Sequence, residues 1–348
     1  MLTDAQIRMR RTGLSATDMA RLSGENPYGG PIDVYLDKTR TEDEALERSV
    51  APDNRALTGQ FVEAAIAKRY VYDATPEGQE LRFVQTATTY RHPKLEWAMA
   101  TPDRFIFSRK IGDRVSRATL MQWLKGGTKA DWLLECKLVG TRLSKHWNIS
   151  EWDDDPDCDR IPPYVYVQVQ WQMEVLGYDR VDVGAILYGT NFKHFVIVRD
   201  PEYILALTQI GDEFWKRNIL GKIPPAPDGS KGYAEYLQRL YPQAARDIQP
   251  APEGAYQIAC EYRAAAEAEA KAKKDKERLG QSLKAIVREA SGIEGPWGKV
   301  TLNPRDGQVD WASLARDEGI TPDVIERYRR GTTRSLKVNV TTKREEEF

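Results

Sequence analysis

Two proline clusters constrain this chain more than any other feature of its sequence. Ile223-Pro-Pro-Ala-Pro-Asp-Gly229 and Ile248-Gln-Pro-Ala-Pro-Glu-Gly254 are rich in a residue that lacks a backbone N–H and fixes φ, so neither a helix nor an interior strand runs through them. The 348 residues therefore divide into an N-terminal part, residues 1–225, a proline-rich linker region, residues 226–254, and a C-terminal part, residues 255–348. Roughly 150 residues per domain gives the same expectation of about two domains.

Apolar residues in the N-terminal part switch between helical and strand periods. Ser15 is an N-cap candidate ahead of Ala-Thr-Asp-Met-Ala-Arg-Leu22, and a second helix is predicted over residues 58–70. Strands are predicted at 82–89, 98–107 and 132–138, then a helix over 165–176 and strands at 181–188 and 194–199. That order implies an α/β domain with a mixed sheet. After the prolines, residues 261–289 are rich in Ala, Glu, Lys and Arg and predict a long exposed helix, stopped by Gly292 and Gly295. A hairpin from Gly298 to Gly307, a helix over 321–330, a strand over 335–340 and a frayed tail complete the chain as a small α+β appendage.

Several function classes fall away on composition. Hydrophobic residues make up 41% and charged residues 30%, which fits neither a disordered chain nor a membrane protein, and no apolar run reaches the length of a span. The N-terminus, Met-Leu-Thr-Asp-Ala-Gln-Ile-Arg-Met-Arg-Arg11, lacks the apolar stretch of a secretory signal, so a cytoplasmic location is expected. Cys136, Cys158 and Cys260 are odd in number and widely spaced, which excludes a disulfide framework or a four-cysteine metal site within one chain. The formal charge of −1 hides local asymmetry, because Arg329, Arg330, Arg334, Lys337, Lys343 and Arg344 form a basic stripe.

The stretch richest in chemistry is Thr101-Pro-Asp103-Arg-Phe-Ile-Phe, followed by Leu133-Leu-Glu135-Cys-Lys137. On a strand, Glu135 and Lys137 share a face and Cys136 takes the other. An acid placed beside an amine and facing a second acid next to an apolar sheet needs charge compensation. A divalent cation supplies it. Magnesium prefers oxygen ligands and keeps several waters, so Asp103, Glu135 and the backbone carbonyl of Cys136 suffice as its protein ligands, with manganese as a substitute. Such an ion polarises a phosphate and acidifies a water, while Lys137 holds the attacking water or the developing charge.

Asp103 followed by Glu135-x-Lys137 resembles the signature of the PD-(D/E)xK nuclease superfamily. Three further segments extend the resemblance. Gly59-Gln-Phe-Val-Glu63 matches an upstream Gly-x-x-x-Glu element, and Gln168-Val-Gln170-Trp-Gln172 places Gln168 and Gln172 on one helix face. Arg11-Thr-Gly-Leu-Ser15-Ala-Thr17-Asp18 opens the first helix with hydroxyls and backbone donors beside arginines, a natural phosphate seat. In this order, together with the Asn26-Pro-Tyr-Gly turn leading to Tyr35 and Lys38, and with Phe214-Trp215, the segments resemble the YqaJ-type viral recombinase family, which includes phage lambda exonuclease, over about residues 8–225.

The resemblance implies a restriction-endonuclease-like core and a magnesium-dependent exonuclease that works 5′ to 3′ on the ends of linear double-stranded DNA. It implies Asp103 and Glu135 as metal ligands, Lys137 as the water-positioning base, Glu63 near the metal or its water shell, and Gln168 as the orienting amide. Arg11, Ser15, Thr17 and Thr101 become the 5′-phosphate contacts, with Arg10 as the substitute for Arg11. A single-strand annealing protein is the implied partner, a homo-trimer around DNA the implied assembly, and residues 255–348 a DNA or partner contact. An endonuclease of the same fold and a catalytically inactive DNA-binding or scaffold protein are the rival readings.

Overall fold

The computed structural model describes residues 4–40, 54–86, 88–113, 115–140, 161–187, 189–242, 248–303, 307 and 310–327. Cys158, the anticipated strand over 335–340, the basic stripe of residues 329–344 and the tail lie outside them. The chain forms two compact units, Met1–Arg239 and Leu240–Phe348.

The first unit is built on a mixed sheet. Its strands in chain order are β1 (Gln79–Val84), β2 (Tyr90–Arg91), β3 (Met99–Ala100), β4 (Arg104–Lys110), β5 (Trp132–Val139), β6 (Arg180–Leu187) and β7 (Asn191–Val198). Five of them form one sheet in the order β1-β4-β5-β6-β7, with β5 and β6 parallel and the other neighbours antiparallel. Among the described residues it also has helices α1 (Asp4–Arg11), α2 (Ala16–Leu22), α3 (Pro31–Thr39), α4 (Asn54–Ala74), α5 (Arg117–Lys125), α6 (Pro163–Leu176), α7 (Pro201–Glu213), which runs on into a π-helix (Phe214–Leu220), and α8 (Lys231–Leu240). The α/β class with a mixed sheet flanked by helices is as the sequence predicts.

The apolar pattern explains the layering. Helix α6 is apolar nearly all round because it is sandwiched between two cores. Val165, Val169 and Met173 face Phe105, Leu133, Val181 and Val183 of the sheet, while Val167, Trp171 and Val175 face Leu14, Met19, Trp97 and Leu207. On the opposite face of the sheet, Ile66, Ala67 and Tyr70 of α4 cover Leu81, Ile106, Leu134 and Cys136. Each large side chain buried this way contributes about 1.5–3 kcal/mol. Gly13 has to be glycine, because a Cβ there would collide with the carbonyl of Trp97.

Two boundaries differ from the sequence expectation, for local reasons. The strand anticipated over 98–107 is two strands, β3 and β4, broken at Thr101-Pro102-Asp103. Pro102 has no N–H to give a ladder, so the chain leaves the small β2–β3 sheet there before joining the large one. The segment after Pro225 is also not all linker. Asp228 and Gly232 lie against the Gly30–Asp33 turn and Tyr233 is buried, so the first unit continues to Arg239. Prolines end ladders, but they do not prevent packing.

In the second unit, α9 (Ala255–Val287) is the long helix, beginning earlier than its composition suggested. Gly292 and Gly295, expected as helix stops, pair instead across a hairpin of β8 (Gly292–Gly295) and β9 (Gly298–Thr301). Two short helices, α10 (Trp311–Asp317) and α11 (Pro322–Arg327), follow. Among the described residues no helix is long and apolar enough to cross a membrane.

Candidate active site

The site forms where two strands part. β4 pairs with β5 only through Ile106↔Trp132, Phe105↔Leu133 and Arg104↔Leu134. From Glu135 onward β5 keeps β6 on one side, but β4 has turned away. The N–H of Cys136 therefore has no strand partner on the β4 side, and Asp103 Oδ2 accepts it at 2.8 Å. The proline break that ends β3 thus delivers a carboxylate to the fork.

Glu135 and Lys137 rise from the same face of β5. Lys137 Nζ donates to Glu135 Oε1 at 2.6 Å and to Gln168 Oε1 at 2.8 Å, and Gln172 Nε2 donates to Glu135 Oε2 at 2.8 Å. Gln168 and Gln172 lie four residues apart on α6 and so project together. Gln170, two residues from each, faces away and bonds the carbonyl of Val198 and the N–H of Asp200. Glu63 reaches the cluster from α4, where its Oε2 lies 3.5 Å from Arg104 Nη1.

The electrostatics are those of crowded carboxylates in a poorly hydrated place. Burial raises the Asp103 carboxyl well above the ordinary range, and the charges of Glu135 and Glu63 raise it further. Burial also raises Glu63, against the pull of Arg104. Lys137 moves the other way: burial opposes its charge, but Glu135 and Asp103 outweigh it and hold the ammonium protonated. The Cys136 thiol is pushed well up by burial and by Asp103, which makes it an inert packing group.

The chemistry of the donors fits a hard divalent cation. Asp103, Glu135 and the Cys136 carbonyl are oxygen donors, and burial beside Glu135 and Glu63 is what raises the Asp103 carboxyl. Among the described residues no three Asp, Glu, His or Cys side chains gather as a closed ligand set. A metal held here keeps waters in its remaining positions, as magnesium does.

The residues proposed for a 5′-phosphate begin nearby. Leu14 bridges to Ala98, and Met99 N–H donates to the Leu14 carbonyl at 2.9 Å, which sets the start of α2 beside the segment that leads to Thr101 and Asp103. Arg11 ends α1, and its buried Nε has no hydrogen-bond partner. Thr17 is half-buried in the first turn of α2, and Thr101 Oγ1 lies 3.0 Å from Thr89 Oγ1. Ser15 is committed to its own helix: its Oγ caps the Asp18 N–H and donates to Asp18 Oδ2 at 2.8 Å. Lys38, buried, donates to Asp18 Oδ2 at 2.8 Å and to the Arg10 carbonyl at 2.7 Å, pinning α1 to α2 and holding the Asp18 carboxyl below its ordinary value against burial.

Residues 7–179 match the model of the YqaJ-like viral recombinase domain. Over those residues the chain is similar to that domain. Protein YqaJ of Bacillus subtilis (strain 168), itself uncharacterized, is 28% identical over 243 residues, which are 69% of this chain and 64% of that protein. The chain thus matches less than two thirds of that relative's length. Among solved structures, the alkaline exonuclease LHK-Exo from Laribacter hongkongensis aligns at 15% identity with a TM-score of 0.41, and its complex with dAMP at 14% with 0.40, each over 68% of this chain and 97% of the other.

Every residue of the fork lies within the YqaJ-like domain. The sequence reading gave no role of their own to two of them, Gln172, which it set on one helix face with Gln168, and Arg104. The signal for Gln172 was its spacing from Gln168. Arg104 looked like the polar edge of an apolar strand, although it is 1% exposed.

Proposed function

We propose that this chain is a magnesium-dependent deoxyribonuclease that works as an exonuclease, 5′ to 3′, from the ends of linear double-stranded DNA during recombination of the phage type. The reading is carried by one observation: Lys137 Nζ donates to both Glu135 and Gln168 at a strand fork whose other wall is Asp103, held on the Cys136 N–H. The recombinase family of the domain supports DNA as the substrate.

Asp103, Glu135 and the Cys136 carbonyl would hold magnesium, with manganese as a substitute; bound there, the ion supplies charge neutralisation at a phosphodiester and an acidified water. Lys137, with its ammonium fixed at two acceptors, orients the attacking water and meets the charge that develops on the phosphate. Gln168 sets where that ammonium points. Gln172 holds the other oxygen of Glu135 and so fixes how its carboxylate is turned. Arg11, Thr17 and Thr101 contact the 5′-phosphate, while Ser15 and Lys38 hold the turn that presents them. A single-strand annealing protein that takes the product strand, and assembly as a homo-trimer, belong to this reading.

The test uses the full-length chain with magnesium on a duplex carrying separate labels at its two 5′ ends and on a closed circle of the same sequence. Ordered loss of nucleotides from 5′-phosphorylated ends, with the circle intact, is expected. Cutting of the circle makes the chain an endonuclease. Activity that survives excess EDTA, or in Glu135→Gln, removes the metal site as its source.

A further inference from the structure

Helix α9 of the second unit is 33 residues long, about 50 Å from end to end, yet among the described residues Val287 is its one buried side chain. Helices draw most of their stability from packing an apolar face, and within one copy α9 packs almost none. Its large apolar side chains are nonetheless ordered. Ile258, Tyr262, Leu279, Leu283 and Ile286 are between 39% and 68% exposed. They fall on one stripe along which steps of four and three residues alternate without a break, the spacing of a helix that pairs with another helix. Ala265, Glu269, Ala272 and Lys276 occupy the stripe between them.

The stripe complements itself when a second copy is reversed. In one antiparallel register Tyr262 of one copy meets Leu279 of the other, and Ile258 meets Leu283, so each apolar end of the helix covers the opposite end of its neighbour. Between the ends, Lys276 lies opposite Ala265 and Glu269 opposite Ala272. The alanines leave room for the two charged side chains, and Lys276 stands one level from Glu269 of the other copy, within reach of it. A parallel pair would instead set Glu269 on Glu269 and Lys276 on Lys276. The remaining charges agree. Up to Ala270 the helix carries Glu261, Glu267 and Glu269 against one cation, Arg263, whereas from Lys271 to Val287 six lysines and arginines stand against Asp275 and Glu277. Reversal lays the acidic half on the basic half; DNA lying along the same face would be attracted by one half and repelled by the other. We propose that the stripe of α9 is the docking surface for a second copy of this chain, which binds there as an antiparallel two-helix coil. The nuclease reading is not needed for it.

The experiment uses the full-length chain throughout. In a background of Cys158→Ser and Cys260→Ser, Tyr262→Cys and Leu279→Cys are made singly and together and oxidised without DNA. The double variant gives a disulfide-linked dimer on a denaturing gel, because each cysteine meets the other kind across the pair, while the single variants stay unlinked, their cysteines lying about 25 Å apart in an antiparallel pair. Leu279→Glu with Leu283→Glu changes two side chains that are exposed in a single copy, and it lowers the mass seen by sedimentation equilibrium at least twofold at concentrations where wild type is assembled. Single variants that link as well as the double, or a double variant that stays unlinked, overturn the proposal. So does an unchanged mass in the glutamate variant, and if that variant also binds duplex DNA more weakly, the stripe belongs to DNA instead.

Discussion

Replacing Lys137 by methionine separates the two jobs assigned to that residue. Methionine keeps most of the volume and loses the charge. In the metal-free protein Glu135 is then left with Gln172 as its remaining donor, next to Asp103 and Glu63. The side chains of Glu135 and Lys137 are 9% and 21% exposed, so solvent screens them weakly. Stranding one member of such a buried pair costs about 3–5 kcal/mol. For a unit the size of Met1–Arg239, roughly 2–4 °C accompanies each kcal/mol, so the melting temperature should fall by about 6–20 °C. Lys137 is raised above its ordinary value, so its stabilising charge is fully present below that value and is lost only as the pH rises through the still higher folded value. The pair is intact throughout the neutral range, and the loss in the variant should shrink as the pH is lowered from 8 to 5, because the raised Asp103 and Glu63 carboxyls take up protons and relieve the crowding. Saturating magnesium should restore more stability to the variant than it adds to wild type, and should leave its hydrolysis at least about a hundredfold down. Differential scanning calorimetry of both chains, with and without magnesium at the two pH values, measures all of this. A metal-free variant melting within a degree of wild type at pH 8 would refute the argument that Lys137 compensates the carboxylates.

Four further outcomes follow from other parts of the molecule. Asp103→Asn should melt higher than wild type without metal at pH 8 and lose the magnesium-induced shift, because a raised folded carboxyl makes stability fall as pH rises from the ordinary carboxylate range toward the folded value; an unchanged or lower melting temperature in thermal denaturation contradicts this. Gln172→Leu removes the donor to Glu135 Oε2 and should cost about 1–3 kcal/mol, with kcat falling more than KM rises; steady-state kinetics showing a pure KM effect places Gln172 in substrate binding instead. Gly211→Ala puts a Cβ 2.6 Å from the Trp97 ring, which stacks on Trp171, and should destabilise by about 1–3 kcal/mol in urea unfolding without changing metal affinity. A chain ending at Arg239 should still degrade short duplexes but bind long DNA more weakly and with a shallower salt dependence; equal affinity across a salt series removes DNA contact from the second unit.

Much of the site was legible because its chemistry rides on strand periodicity. Glu135 and Lys137 share a face for the same reason in the sequence as in the structure, and Trp132-Leu-Leu134 fixes which face is the sheet's. Helix α6 was legible from its unbroken apolar run, and its glutamines stood out against it. The short helices α3 and α5 were not, since each is only nine residues long and is held by tertiary contacts more than by propensity. Pro102 carried the signal that splits β3 from β4, but a proline inside an apolar stretch does not say that the next residue will reach across to another strand's N–H.

Arg104 was illegible for a deeper reason. Pattern reading treats a charge at the start of an apolar run as the solvent end of a strand, and nothing in the order Pro-Asp-Arg-Phe says otherwise. What buries Arg104 is the pairing of Arg104 with Leu134 and the approach of α4, two contacts from residues some 30 to 40 positions away. The same approach brings Glu63 into the fork. An acid and a base delivered together by long-range packing are each anomalous alone and reasonable as a pair, so the pair is visible only once the sheet order is known.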